Sequence, residues 1–368
     1  MTFQDSITFR RDLHELAELS GQEEKTSSYI KNKLEEAGFK VKDHVGGYGL
    51  VVDIDSGVAG PTIMLRADMD ALPYADENDP EKMIAVHACG HDAHSAMLLA
   101  AASEIKNILK KGKVRLVFQP GEESLEGALS MIEDGVLEGV DIAVGAHIRP
   151  MQDLKFGTFC SAVNHVACAT VEITIHGKQA HAARPHLGIN PIEAASQFIS
   201  TIGLIKVNPN KSWSVKPTQI HSENGATNSI PSFVKIAYDV RAQDNESLNF
   251  ILEKLQKTAE AIEFSFGAKV TYEKTEFCPG PDYDPELVNL LNDVIVEQFG
   301  RDALGENCGG GGEDFHFYKL AKPEIKTAYF GVGSGAQPGL HNRNMTFDDS
   351  VLPLGSRIFA ELVKKLAG

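Results

Sequence analysis

Nowhere in the 368 residues does an apolar run approach the ~20 residues that a membrane-crossing helix needs, so no spanning segment is expected. Clusters of lysine and arginine are equally lacking. With 35 basic against 51 acidic side chains the formal charge is −16, which argues against nucleic acid as a partner, because phosphate backbones are gripped by basic patches. The acidic excess is read as solubility. Cysteine is sparse and odd in number, at Cys89, Cys160, Cys168, Cys278 and Cys308. That pattern suits reduced thiols better than a disulfide framework and points to the cytoplasm. Residues 1–20 hold Arg10, Arg11 and several acids within a helical pattern but no continuous apolar core, so no signal peptide is expected there. No internal repeat is found, and low complexity is confined to Gly309, Gly310, Gly311 and Gly312.

What the chain does have is metal-ligand chemistry in an ordered series. His87-Ala88-Cys89-Gly90-His91-Asp92-Ala93-His94 is followed by Gln119-Pro120-Gly121-Glu122-Glu123 and then by Gly145-Ala146-His147. Thiolate, imidazole and carboxylate are the side chains that bind borderline-soft divalent ions. Any one of these residues taken singly would more often be an ordinary core or surface residue, but here each group closes a strand-like run. Lys113 to Phe118 is a β-branched apolar run that Gln-Pro-Gly breaks before Glu122 and Glu123 open an amphipathic helical stretch (Ala128, Met131, Ile132, Val136), which places both carboxylates at a strand's carboxyl end, where open α/β sheets bind ligands. Two adjacent glutamates cannot point the same way, so one can hold a metal while its neighbour faces a water.

Periodicity predicts helices over 7–19, 25–37 and 93–109 and strands over 50–54, 62–66, 114–118 and 142–145, the alternation of an α/β domain. Around Val166 the texture changes. Strands over 169–176, 213–220, 232–240 and 268–275 and helices over 191–204 and 247–263 follow a β-α-β-β-α-β order, which suggests a ferredoxin-like insert. Helix and strand alternation resumes from Asp284. The expected architecture is a mixed-sheet α/β catalytic domain, residues 1–165 and 279–368, interrupted by a smaller α+β lid and dimerisation domain over 166–278.

Further motifs fall in order along nearly the whole length: Arg10-Arg11-Asp12-Leu13-His14, residues 65–73 (Leu-Arg-Ala-Asp-Met-Asp-Ala-Leu-Pro), residues 177–186 (Gly-Lys-Gln-Ala-His-Ala-Ala-Arg-Pro-His), residues 312–315 (Gly-Glu-Asp-Phe) and Gly339-Leu340-His341. With the three metal segments, this series resembles the dinuclear metallo-amidohydrolases related to aminoacylase and carboxypeptidase, in the branch of hippurate hydrolase, N-acyl-amino-acid deacylases and plant auxin-conjugate hydrolases. The resemblance implies that Cys89, His91, Glu123, His147 and His341 hold two divalent cations (Zn, Mn, Co or Ni), with the Cys89 thiolate bridging them, and that Glu122 is the general base. It also implies that His181 stabilises the oxyanion, commonly from the partner subunit of a homodimer formed through the insert, and that Asn228 and Arg241 bind the substrate or its carboxylate. Either Asp70 or Asp92 would orient a ligating ring.

The expected reaction is hydrolysis of the amide bond of an N-acyl amino acid or a similar small amide. Alternatives are a dipeptidase or carboxypeptidase with the same centre and, in another class, a non-catalytic binding protein on this fold; retention of Glu122 beside all five ligand positions argues against the last. This chain departs from its relatives at Ala17, where many carry Pro, at residues 160–165, and in the shortened stretch from Tyr74 to Met83 that approaches the site.

Overall fold

β-Branched runs punctuated by Gly and Pro become strands, and segments with apolar residues three and four apart become helices. The computed structural model describes residues 1–223 and 225–368. They divide into one unit made of Met1–Asn164, Asp282–Gly310 and Asp314–Gly368, and a second made of His165–Pro281 with Gly311–Glu313.

The first unit begins with helices α1 (Asp5–His14) and α2 (Glu24–Glu36), strands β1 (Lys42–Val45), β2 (Gly49–Asp55) and β3 (Thr62–Asp68), and a hairpin of β4 (Leu72–Ala75) and β5 (Met83–Val86). It continues through α3 (His91–Ile108), β6 (Lys113–Gln119), α4 (Gly127–Glu133), β7 (Ile142–Pro150) and β8 (Phe159–Cys160). The second unit holds β9 (Ala167–His176), β10 (Ala180–His181), α5 (Pro191–Ile202), β11 (Trp213–Ser222), β12 (Ser229–Ile230), β13 (Phe233–Ala242), α6 (Asn245–Phe266) and β14 (Lys269–Cys278). The chain then completes the first unit with α7 (Pro285–Phe299), α8 (His316–Ala321), β15 (Lys326–Ala336) and α9 (Leu352–Ala367).

Seven strands of the first unit form one mixed sheet in the order β1-β2-β6-β3-β7-β15-β8. β6, β3, β7 and β15 run parallel, and antiparallel strands flank them. Parallel strands are covered on both faces, and every residue of β7 is accordingly buried. Register sets the level of the site: Asp68 pairs with Gln119, and Arg66 pairs with Gly145, two residues before His147. The carboxyl ends of β3 and β6 therefore open at the level of His147.

The second unit is a four-stranded antiparallel sheet in the order β11-β13-β9-β14, with α5 and α6 packed against it. This is the ferredoxin-like arrangement, and the alternation along β9 buries Val171, Ile173 and Ile175. β11 lies at an edge and is largely exposed.

Three elements differ from the periodic pattern. α1 stops at His14 because the chain turns back to β3's exit, where the Ala71 amide donates to the Glu18 carbonyl (2.8 Å) and Leu19 bridges Ala71. β7 continues to Pro150, beyond the strand expected over 142–145, because β15 is long enough to pair with it there. Glu122 and Glu123 sit in a turn, not at the start of a helix: Gly121 has φ +65°, its carbonyl accepts the Gly127 amide, and α4 begins only at Gly127.

Candidate metal centre

Strand ends and one helix start deliver the chemistry. β3 leads to Asp68 and Asp70, β6 leads through Pro120 and Gly121 to Glu122 and Glu123, β7 carries His147, and α3 opens on His91. Cys89 precedes Gly90, whose φ of +91° bends the chain into α3; a Cβ on Gly90 would stand 2.3 Å from the Ile148 side chain, so this turn requires glycine. The His341 amide donates to the Ala88 carbonyl (2.8 Å) and Tyr74 Oη donates to the His341 carbonyl (2.7 Å), which brings the distant His341 to the same place.

Of the five groups of clustered donor atoms among the described residues, two share Cys89. Cys89, His91 and His147 offer ligand atoms that all lie within 4.8 Å of one another, and so do Cys89, Glu123 and His341. Cys89 belongs to both. Its Sγ is 3.3 Å from His147 Nε2, while Glu123 Oε1 stands 3.8 Å from His91 Nε2 and 3.6 Å from His341 Nε2. Glu122 Oε2 is 3.8 Å from His91 Nε2, in the same cluster.

The residues fit a pair of cations on three grounds. His91 Nδ1 lies 3.0 Å from Asp70 Oδ1 and His147 Nδ1 meets the Ile148 carbonyl, so each ring is held with Nε2 directed into the cluster. His91 Nε2 and Glu123 Oε1 are buried with no hydrogen-bond partner among the described residues, although buried polar atoms are rarely left so. Burial pushes the Cys89 thiol well above its ordinary range and pushes the His147 imidazole down, so without a cation these two side chains favour their neutral forms; a cation reverses that for the thiol.

The surrounding hydrogen bonds decide between the two aspartates. Asp70 meets His91 and also accepts the Glu123 amide (2.9 Å) and the Ser20 hydroxyl (2.7 Å), whereas Asp92 pairs with His14 (2.8 Å) and Arg10 (3.0 Å). Burial alone would raise the Asp70 carboxyl, but these donors hold it below its ordinary range. Sequence reading missed three supports. His94 is tied to Asp68 (2.7 Å) and accepts the Ile148 amide (2.9 Å), steadying the backbone beside His147. Glu23 accepts the Gly121 amide (2.8 Å). Arg66, fully buried, reaches Gln119, Asp68 and Asp314. Charged residues inside apolar strands were the available signal for Arg66 and Asp68.

His181, Asn228 and Arg241 lie in the second unit. His181 is exposed on β10, pairs with Ser229 and accepts the Ala183 amide (3.1 Å) at Nδ1, while the Asn228 carbonyl accepts the Ala182 amide (2.8 Å), so these two are neighbours. Arg241, near the end of β13, pairs with Asp239 (3.0 Å).

A mixed α/β sheet whose strand ends gather two donor groups around a shared thiol, with a further carboxylate beside them, defines a metallohydrolase. The chain belongs to peptidase family M20/M25/M40, whose model matches residues 64–365. It is similar to the N-acetyl-L-cysteine deacetylase of Bacillus subtilis (34% identity over 98% of this chain and 88% of the relative) and to the hippurate hydrolase of Campylobacter jejuni (32% identity, 97% and 95%). It also resembles the crystal structure of a Bacillus subtilis dinuclear metal-binding peptidase of the M20 family, with TM-score 0.82, 30% identity and coverage of 99% of this chain and 98% of that one. The protein is a metal-dependent amidohydrolase. Among the described residues no helix is long and apolar enough to cross a membrane.

Proposed function

We propose that the enzyme removes the acyl group from N-acyl amino acids, with two divalent cations held by Cys89, His91, Glu123, His147 and His341 and with Glu122 as general base. The observation that carries this is the membership of Cys89 in both donor groups, because a thiolate common to two sets can serve two ions at once. The cations, drawn from Zn, Mn, Co or Ni, supply the Lewis acidity that brings a water's pKa towards neutrality. Glu122, beside His91 and outside the two donor groups that share Cys89, takes that water's proton and later returns it to the departing amine. N-acetyl-L-cysteine and hippurate, in the names of two relatives, are both acylated amino acids.

In this reading His181 donates to the developing oxyanion, and Asn228 and Arg241 recognise the substrate or its carboxylate. The exposed edge of β11 supports a homodimer through the second unit, since an open ladder edge is a template for pairing. Five cysteines as free thiols support a cytoplasmic enzyme.

The test is a rate comparison of N-acetyl and N-benzoyl amino acids with dipeptides, using protein reconstituted separately with each metal. Acylated amino acids are expected to have the higher kcat/KM. Dipeptides hydrolysed about tenfold better would move the assignment to a dipeptidase or carboxypeptidase.

A further inference from the structure

Glu122 projects from a turn whose two flanking amides both end on carboxylates. The Glu123 amide donates to Asp70 Oδ2 (2.9 Å) and the Gly121 amide donates to Glu23 Oε1 (2.8 Å). Asp70 is explained by its bond to His91. Glu23 touches none of the donor atoms of the metal cluster, yet it is completely buried, takes the Gly21 amide (3.0 Å) on the same oxygen, and leaves Oε2 buried without a partner among the described residues. Burial, reinforced by the nearby charge of Asp70, pushes its carboxyl up to about 7. Burying a carboxyl is costly, and here the cost is offset by the two backbone amides that end on Oε1, those of Gly21 and Gly121. The position therefore calls for an acceptor, and one of the two amides it holds belongs to the Glu122 turn.

We infer that Glu23 is a positioning residue for the base: by holding the Gly121 amide it fixes the Pro120–Gly121 peptide plane, through which β6 enters the turn that carries Glu122. The inference rests on the assignment of Glu122 as base. Three features give it force. The peptide plane between Gly121 and Glu122 is held by its carbonyl, which accepts the Gly127 amide (3.0 Å) and the Ser124 hydroxyl (2.9 Å); Glu23 supplies the restraint on the plane before it. Gly121, at φ +65°, has no side chain to hold its conformation, so hydrogen bonds must do so. Finally, Glu23 is itself held rigidly: the Glu18 carboxylate accepts the Lys25 and Thr26 amides (2.9 Å each), and Ser20 on the same segment donates to Asp70. One short stretch between α1 and α2 thus carries Glu23 and, through Ser20, braces Asp70, the turn's other anchor.

The experiment uses the metal-loaded full chain and compares Glu23→Ala, Glu23→Met and Glu23→Gln, with Glu122→Gln in parallel. Glutamine keeps an acceptor for the Gly121 amide, methionine keeps the volume without one, and alanine keeps neither. Glu23→Ala and Glu23→Met are expected to lower kcat on the order of tenfold or more, with KM and metal content near wild type, because small misplacements of catalytic groups are costly. Glu23→Gln is expected to recover most of that loss. In the metal-free protein the Gly121 amide should exchange hydrogen faster in Glu23→Met than in Glu23→Gln. Should the alanine variant not fold, the methionine and glutamine pair decides. Equal kcat in that pair, or unaltered kcat in Glu23→Ala, overturns the inference. Wild-type turnover in Glu122→Gln overturns the base assignment and this inference with it, whereas an inactive Glu122→Gln beside a fully active Glu23→Ala overturns this inference alone.

Discussion

Replacing Arg66 with lysine is the sharpest test of what holds the strand ends in place. Its guanidinium is fully buried and fans out to Gln119 Oε1 (2.9 Å), Asp68 Oδ2 (2.6 Å), Tyr329 Oη (3.3 Å) and Asp314 Oδ1 (2.6 Å). Asp314 also accepts both contacts from Gln119 Nε2 (2.8 and 2.7 Å) and the Ala128 amide (2.8 Å), so β3, β6, β15 and the start of α4 meet at one charge network. An ammonium carries its donors on a single atom and cannot reproduce a planar fork between two carboxylates. Lysine keeps the charge but must release one of them, and breaking a buried pair costs about 3 kcal/mol or more. For a unit of this size that corresponds to a fall in Tm of roughly 6–12 °C. Thermal melts of wild type and Arg66→Lys at matched metal occupancy provide the measurement. Coupling gives a second check: Asp314→Asn should cost less in the Arg66→Lys background than in wild type. A variant melting within about 2 °C of wild type, or strictly additive losses, would refute the network as the element that fixes these strand ends.

Four other outcomes are expected. Glu122→Gln should cut turnover on the order of a hundredfold while metal content holds, as measured by steady-state kinetics beside elemental analysis. Cys89 should resist alkylation in the loaded enzyme and label after chelation, and Cys89→Ala should lose at least one metal equivalent; mass-spectrometric labelling that is equal with and without chelator would count against a shared thiolate. Because the folded Glu23 carboxyl is raised from 4.5 to about 7, the folded state binds more protons between those values; stability is therefore lost as pH rises through that window, and the wild-type Tm should fall relative to Glu23→Gln between about pH 4.5 and pH 7.5. If His181 acts in trans, mixing His181→Ala with His147→Ala should restore part of the activity after subunit exchange, and proven heterodimers without recovery would exclude that role.

The donor residues were legible because their chemistry is local. Cys89 and His91 flank one glycine, Glu122 and Glu123 follow one Pro-Gly break, and the runs before Glu122 and His147 can be read directly as strands, whereas His341 is legible only through the family resemblance. The second unit was legible for a related reason: in β9 the period of two is unbroken, and the helices between strands keep a period near 3.6. What stayed hidden was set by contacts far apart in sequence. Asp70 and Asp92 both stand beside the metal motifs, and only the folded chain shows that Asp92 is taken by Arg10 and His14 while Asp70 meets the His91 ring. Glu23 and Gly121 are 98 positions apart, and Arg66 and Asp314 are 248 apart, so no window of the chain contains either relationship. The hairpin of β4 and β5 escaped notice because each strand has four residues and Pro73 interrupts the first, which weakens any periodic signal. The division has a physical cause. Side chains that touch a cation or substrate must be of particular types at particular spacings, whereas those that hold them need only arrive from somewhere with a donor or an acceptor. A buried carboxyl such as Glu23 therefore looks, in the sequence, like one more acid at the start of a helix, and only its place under the Gly121 turn gives it a function.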